Sequence, residues 1–172
     1  QLIGNSVREN ESGVFLGTLF VTDKDSSDQF TWQVFDQRFA TVGNLLFLAA
    51  GSRLDYEVNP QVDLQVRVTD SGTPPLSLTL TKTINVLDVN EFVPDFPPTQ
   101  FKVSESAVGG SQVGILAASD GDRNNIIRFR ITGAPQSVFA LDSNTGRISL
   151  LPGVSLDNES TASYQLFVEA SD

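Results

Sequence analysis

The chain has no cysteine, no histidine and no methionine among its 172 residues. Without cysteine there is no disulfide framework, and the redox compartment is not written in thiols. Without histidine, Ser-His and Cys-His nucleophilic sites are excluded, as is zinc held by imidazole. Basic residues are scarce, 11 Lys and Arg against 21 Asp and Glu, giving a formal charge of −10. Such a balance argues against nucleic acid or an anionic membrane as partner and favours cations. No apolar run approaches a membrane span. Residues Gln1 to Asn10 carry neither the basic nor the apolar part of a signal peptide, and with no initiating Met the chain reads as a piece of a longer one.

What is present is the period-two alternation of half-buried strands. Val62, Leu64, Val66 and Val68 share one face of a run ending at Asp70, and Leu78, Leu80, Ile84 and Val86 share one face of the next. Phe30, Trp32 and Val34 alternate with Thr31 and Gln33, which makes Trp32 a core residue of a third strand. The run from Phe39 to Ala50 is expected to form two strands broken at Gly43-Asn44, a pair suited to the positive φ of a tight turn. No helical periodicity stands out. The predicted class is all-β, with about seven strands in each half as in a small sandwich.

The second half repeats the first in order. Val103-Ser104-Glu105-Ser106 matches Val7-Arg8-Glu9-Asn10, and Asp120-Gly121-Asp122 answers Asp23-Lys24-Asp25. Leu156-Asp157-Asn158-Glu159 answers Leu54-Asp55-Tyr56-Glu57, and the segment ending at Asp172 answers the one ending at Asp70. Between the halves, Asp88, Asn90 and Glu91 place three oxygen-bearing side chains within four residues, followed by Pro94, Pro97 and Pro98, which disfavour helix and central strand.

The stretch Asp88-Val89-Asn90-Glu91-Phe92-Val93-Pro94-Asp95-Phe96 resembles the Asp-x-Asn-Asp-Asn-x-Pro-x-Phe junction of cadherin repeats, departing from it at Glu91 and Phe92. With the ordered repetition, the whole chain resembles two tandem cadherin repeats. These are expected at 1–92 and 99–172, joined by a linker at 93–98, with the second lacking its C-terminal strand. The resemblance implies Greek-key, Ig-like sandwiches stacked end to end. About eight carboxylates would then converge at the junction, where each close like-charged pair costs on the order of 1 to 4 kcal/mol without a counterion. Calcium suits such a set, because it takes six to eight oxygens in flexible geometry.

Carried over position by position, the resemblance implies about three calcium ions at the junction. Glu9 and Glu57 would bridge two of them, with Asp55 on the outer one and Asp88, Glu91 and the Val89 carbonyl completing the pair. Asn90, the Phe92 carbonyl, Asp120, Asp122, the Asn124 carbonyl and Asp172 would hold the third, with Asp122 shared. Glu91 is one methylene longer than the Asp of the family motif. At the outer end of the first repeat, Asp23, Asp25 and Asp70 correspond to Asp120, Asp122 and Asp172 and would bind weakly by themselves.

The function so implied is calcium-dependent cell–cell adhesion, by a fragment of an extracellular rod belonging to a single-pass membrane protein. Its partners would be other cadherin-type ectodomains, homophilic or heterophilic. A calcium-binding spacer in a secreted matrix, sugar-binding or bacterial surface protein is the alternative. An enzyme is disfavoured: Asp55 and Glu57, two apart on a strand, would sit closer than the carboxylate pair of a glycosidase. The sequons at Asn10-Glu11-Ser12 and Asn158-Glu159-Ser160 fit a secreted glycoprotein. No Trp lies near the N-terminus to anchor an exchanged strand.

Overall fold

The structure, a computed structural model, describes residues 2–24, 28–133 and 135–172. It divides into two compact units, Gln1–Val89 and Asn90–Asp172. No helix occurs among the described residues.

The first unit is a sandwich of two four-stranded sheets. One contains β1 (Leu2–Ile3), β3 (Phe15–Leu19), β6 (Leu45–Leu48) and β5 (Phe39–Val42), in the order β1-β3-β6-β5; the other contains β2 (Ser6–Arg8), β8 (Ser77–Leu87), β7 (Gln61–Asp70) and β4 (Phe30–Val34), in the order β2-β8-β7-β4. The alternation along β7 buries Val62, Leu64, Val66 and Val68 and exposes the residues between them. Leu46 and Leu48 of the other sheet, together with Leu64 and Ile84 of this one, are fully enclosed. Each such side chain contributes about 1.5 to 3 kcal/mol by leaving water. Trp32 is half-buried at the margin of this core rather than at its centre. Gly43, at φ +59, makes the turn between β5 and β6 together with Asn44.

Among its described residues this unit has eight strands rather than the seven expected, because the N-terminal segment serves both sheets. Residues 2–3 pair with β3 and residues 6–8 run parallel to β8. Gly4 makes the crossing. Its φ is +89, and a Cβ there would lie 2.3 Å from the Leu16 carbonyl oxygen, so no other residue fits.

In the second unit β10 (Arg128–Ile131) pairs with β13 (Val168–Ser171), while β9 (Gln112–Ile115), β12 (Arg147–Leu150) and β11 (Phe139–Leu141) form a three-stranded sheet ordered β11-β12-β9. Leu116, Phe129, Phe139, Ile148 and Leu150 form its core, with edge-on contacts of Phe96 to Phe129 and of Phe139 to Tyr164. Among the described residues five strands stand where about seven were expected. In the first unit β7 pairs along almost its full length with β8, whereas residues 163–167, which occupy the same place, have no such ladder among the described residues. Residues 102–104, the counterpart of β2, likewise stand outside any strand. Leu166 is therefore half-buried where Leu64 is enclosed, and a groove of about 980 Å³, lined by polar as well as apolar residues, opens along the core.

Candidate metal centre

Two groups of carboxylates are assembled where strands end. In the first unit Glu9 follows β2, Asp55 and Glu57 lie in the turn before β7, and one ligand atom from each lies within 4.8 Å of the others. Glu9 is 2% exposed, and the backbone holds its carboxylate: the Tyr56 amide donates to Oε2 and the Val89 amide to Oε1, both at 2.8 Å. The Val58 amide donates to Asp55 Oδ1 at 2.8 Å. Asp88 lies one residue beyond β8 and is exposed.

In the second unit Asp120, Asp122 and Asp172 bring their oxygens within the same 4.8 Å. Asp120 and Asp122 occupy the loop between β9 and β10, and Asp172 follows β13. Asp122 is buried, 7% exposed, and its Oδ2 accepts the amides of Glu91 at 3.1 Å and Phe92 at 2.9 Å. Its own amide donates to Asp120 Oδ1 at 2.8 Å. Asn124 stands at φ +66, an αL conformation that asparagine tolerates, and Asn90 is exposed. Asn125 was not among the residues expected at the site. Its amide nitrogen donates to Asp122 Oδ2 at 3.3 Å and Asp172 Oδ2 at 2.9 Å, tying the loop to the strand end. Adjacent asparagines in a polar loop carry no pattern from which this bridge could be read.

Asp122 Oδ1 and Asp120 Oδ2 are buried with no hydrogen-bond partner. Burying an anionic oxygen without a donor is costly, and removes the reason for placing a carboxylate there unless a cation meets it. The donors are all oxygen, which fits a hard cation such as calcium and excludes a thiolate or imidazole metal site.

A third group, Asp23, Asp28 and Asp70, meets the same 4.8 Å limit at the other end of the first unit. Asp70 Oδ1 accepts the amides of Gly72 and Leu76, so this oxygen already serves the turn between β7 and β8. Asp28 was not anticipated, and Asp25 lies outside the described residues. In the second unit the Asn158 amide donates to Glu105 Oε2 at 3.2 Å, repeating the bond of the Tyr56 amide to Glu9. Hydrogen bonds from the Ser160 hydroxyl and amide hold the Asp157 carboxyl below the usual aspartate range.

The match to known proteins decides the family. The model of the cadherin domain matches residues 5–87 and again 99–172. The chain belongs to the cadherin family. These two cadherin repeats are 33% identical over 180 residues to Protocadherin Fat 4 of Mus musculus, a match covering 97% of this chain and 4% of that protein. They are 32% identical over 181 residues to Protocadherin-20 of Homo sapiens, covering 99% and 19%. The chain thus spans a small part of the curated relatives it matches. Among solved structures, the Protocadherin GammaB4 extracellular domain aligns with a TM-score of 0.78 and 27% identity, covering 99% of this cadherin chain and 29% of that one.

Proposed function

We propose that these two cadherin repeats are a calcium-rigidified segment of a cell-surface adhesion ectodomain. The observation that carries the reading is the pair of buried, partnerless carboxylate oxygens on Asp120 and Asp122. The junction motif at 88–96 and the membership of a family in which calcium binding is typical support it. In this reading Glu9, Asp55, Glu57, Asp88, Glu91 and the Val89 carbonyl take one pair of ions. Asn90, Asp120, Asp122, Asp172 and the carbonyls of Phe92 and Asn124 take a third. Calcium would supply the positive charge that lets these carboxylates stay ionised close together. The chain's own contribution is to fix them beforehand, with backbone amides holding Glu9 and Asp122.

Rigidity then follows from charge. Without calcium, like-charged oxygens repel at about 1 kcal/mol per pair in water and more near a protein surface; with it, the linker is held. The partners would be other ectodomains of the same family, reached in the extracellular space. Limited proteolysis and small-angle scattering test the proposal. Chelator should open cleavage near Val93, an exposed linker residue, and change the maximum dimension. Equal cleavage and equal dimension with and without calcium would overturn it.

A further inference from the structure

Phe92 is one of the two positions at which residues 88–96 depart from the cadherin junction motif, and its ring has a definite seat. It lies on Gly121, the residue between Asp120 and Asp122. A Cβ built on Gly121 would stand 2.6 to 2.9 Å from three carbons of that ring, closer than real Cβ contacts allow. Gly121 is not among the glycines at positive φ, so its backbone conformation does not require glycine. The ring does. Beside this contact, the amides of Glu91 and Phe92 both donate to Asp122 Oδ2, while Asp122 Oδ1 is buried with no partner.

We propose that Phe92 is a positioning residue. Its ring, seated on Gly121, clamps the 120–122 loop against residues 91–92, so that Asp122 commits Oδ2 to the backbone and keeps Oδ1 for a cation. The clamp sets the carboxylate before any ion arrives, and binding is spared the cost of ordering it. Immobilising one side chain accounts for a change in affinity of about 3- to 10-fold. The inference rests on the calcium reading above but makes a separate claim about the metal-free chain.

A double-mutant cycle separates the two. Phe92→Ala and Gly121→Ala each break the same contact, the first by removing the ring and the second by displacing it. In the 172-residue chain with chelator, each should speed amide exchange at Glu91 and Phe92. Each should also weaken calcium binding by about 3- to 10-fold. The double variant should be no worse than either single one, and Phe92→Tyr, which keeps the ring, should behave as the parent. Unchanged exchange in Gly121→Ala, or additive effects in the double variant, would overturn the clamp. A parent chain that binds no calcium would overturn the reading on which the affinity effect rests, while the exchange cycle would still decide the clamp.

Discussion

Replacing Glu9 by Gln should cost little without calcium and markedly more with it. Glutamine keeps the volume of a side chain that is 2% exposed, but one of its two heteroatoms is a donor. It can accept from the Tyr56 amide or the Val89 amide, not both, and losing a charge-assisted bond costs about 1.5 to 3 kcal/mol. Against this stands relief of repulsion. With carboxylate oxygens of Asp55 and Glu57 within 4.8 Å, each like-charged pair is worth roughly 0.9 to 3.5 kcal/mol between aqueous and near-surface dielectrics. In chelator the relief from the two pairs, about 2 to 7 kcal/mol, matches or exceeds the lost bond, so the variant should be at most about 1 kcal/mol less stable than the parent. With calcium the repulsion is already neutralised and a ligand is lost. The variant should then be less stable by about 1.4 kcal/mol for each tenfold loss in affinity. Urea denaturation followed by the fluorescence of Trp32, the single tryptophan, in chelator and in millimolar calcium measures the difference. An equal change in both buffers would rule out Glu9 as a calcium ligand.

Leu64→Ala should cost about 2 to 5 kcal/mol, whereas Leu166→Ala, at the matching half-buried position, should cost about 1 to 2 kcal/mol; equal losses by hydrogen exchange would contradict the unequal enclosure of the two units. Gly146→Ala should destabilise the second unit by about 1 to 3 kcal/mol in thermal melts, because φ is +68 and the new Cβ would stand 2.6 Å from the Leu116 carbonyl oxygen. The hydrogen bond from the Arg38 guanidinium holds the Asp36 carboxyl below its ordinary range. Its contribution is therefore complete above the unfolded value and lost as pH falls through the folded one. At this partly exposed pair Asp36→Asn should flatten the acid limb of the stability curve by under about 1 kcal/mol, and an unchanged limb in urea midpoints would count against the pairing.

The strands were legible because burial imposes a period of two. The alternation of Val62 to Val68 reads directly as β7, and Gly43-Asn44 as the turn between β5 and β6. The alternation of Leu78 to Val86 gives the strand β8 but only half of its buried face: Ile84 and Val86 are enclosed, Leu78 and Leu80 exposed. The crossing at Gly4 was not legible, since its cause is the nearness of the Leu16 carbonyl, a contact between distant residues. At the site, repetition drew attention to Glu9, Asp55 and Glu57, and to Asp120, Asp122 and Asp172, each set now assembled in one place. Repetition could not show Asn125, whose role depends on bridging a loop to a strand end 47 residues away. Nor could it show that Phe92 seats on Gly121: in the sequence Phe92 matters only for its carbonyl and Gly121 only as the residue between two aspartates, and the contact is made in space.

Calorimetric titration of calcium into the parent chain, Asp122→Ala and Glu11→Ala asks whether the ion binds through the buried carboxylates of these repeats. Glu11 is exposed and belongs to none of the carboxylate groups, so its variant should titrate as the parent. Asp122→Ala should weaken the tight phase by tenfold or more, that is by about 1.4 kcal/mol or more. Indistinguishable affinities for all three proteins, or no calcium binding by any, would show that these carboxylates do not hold the ion.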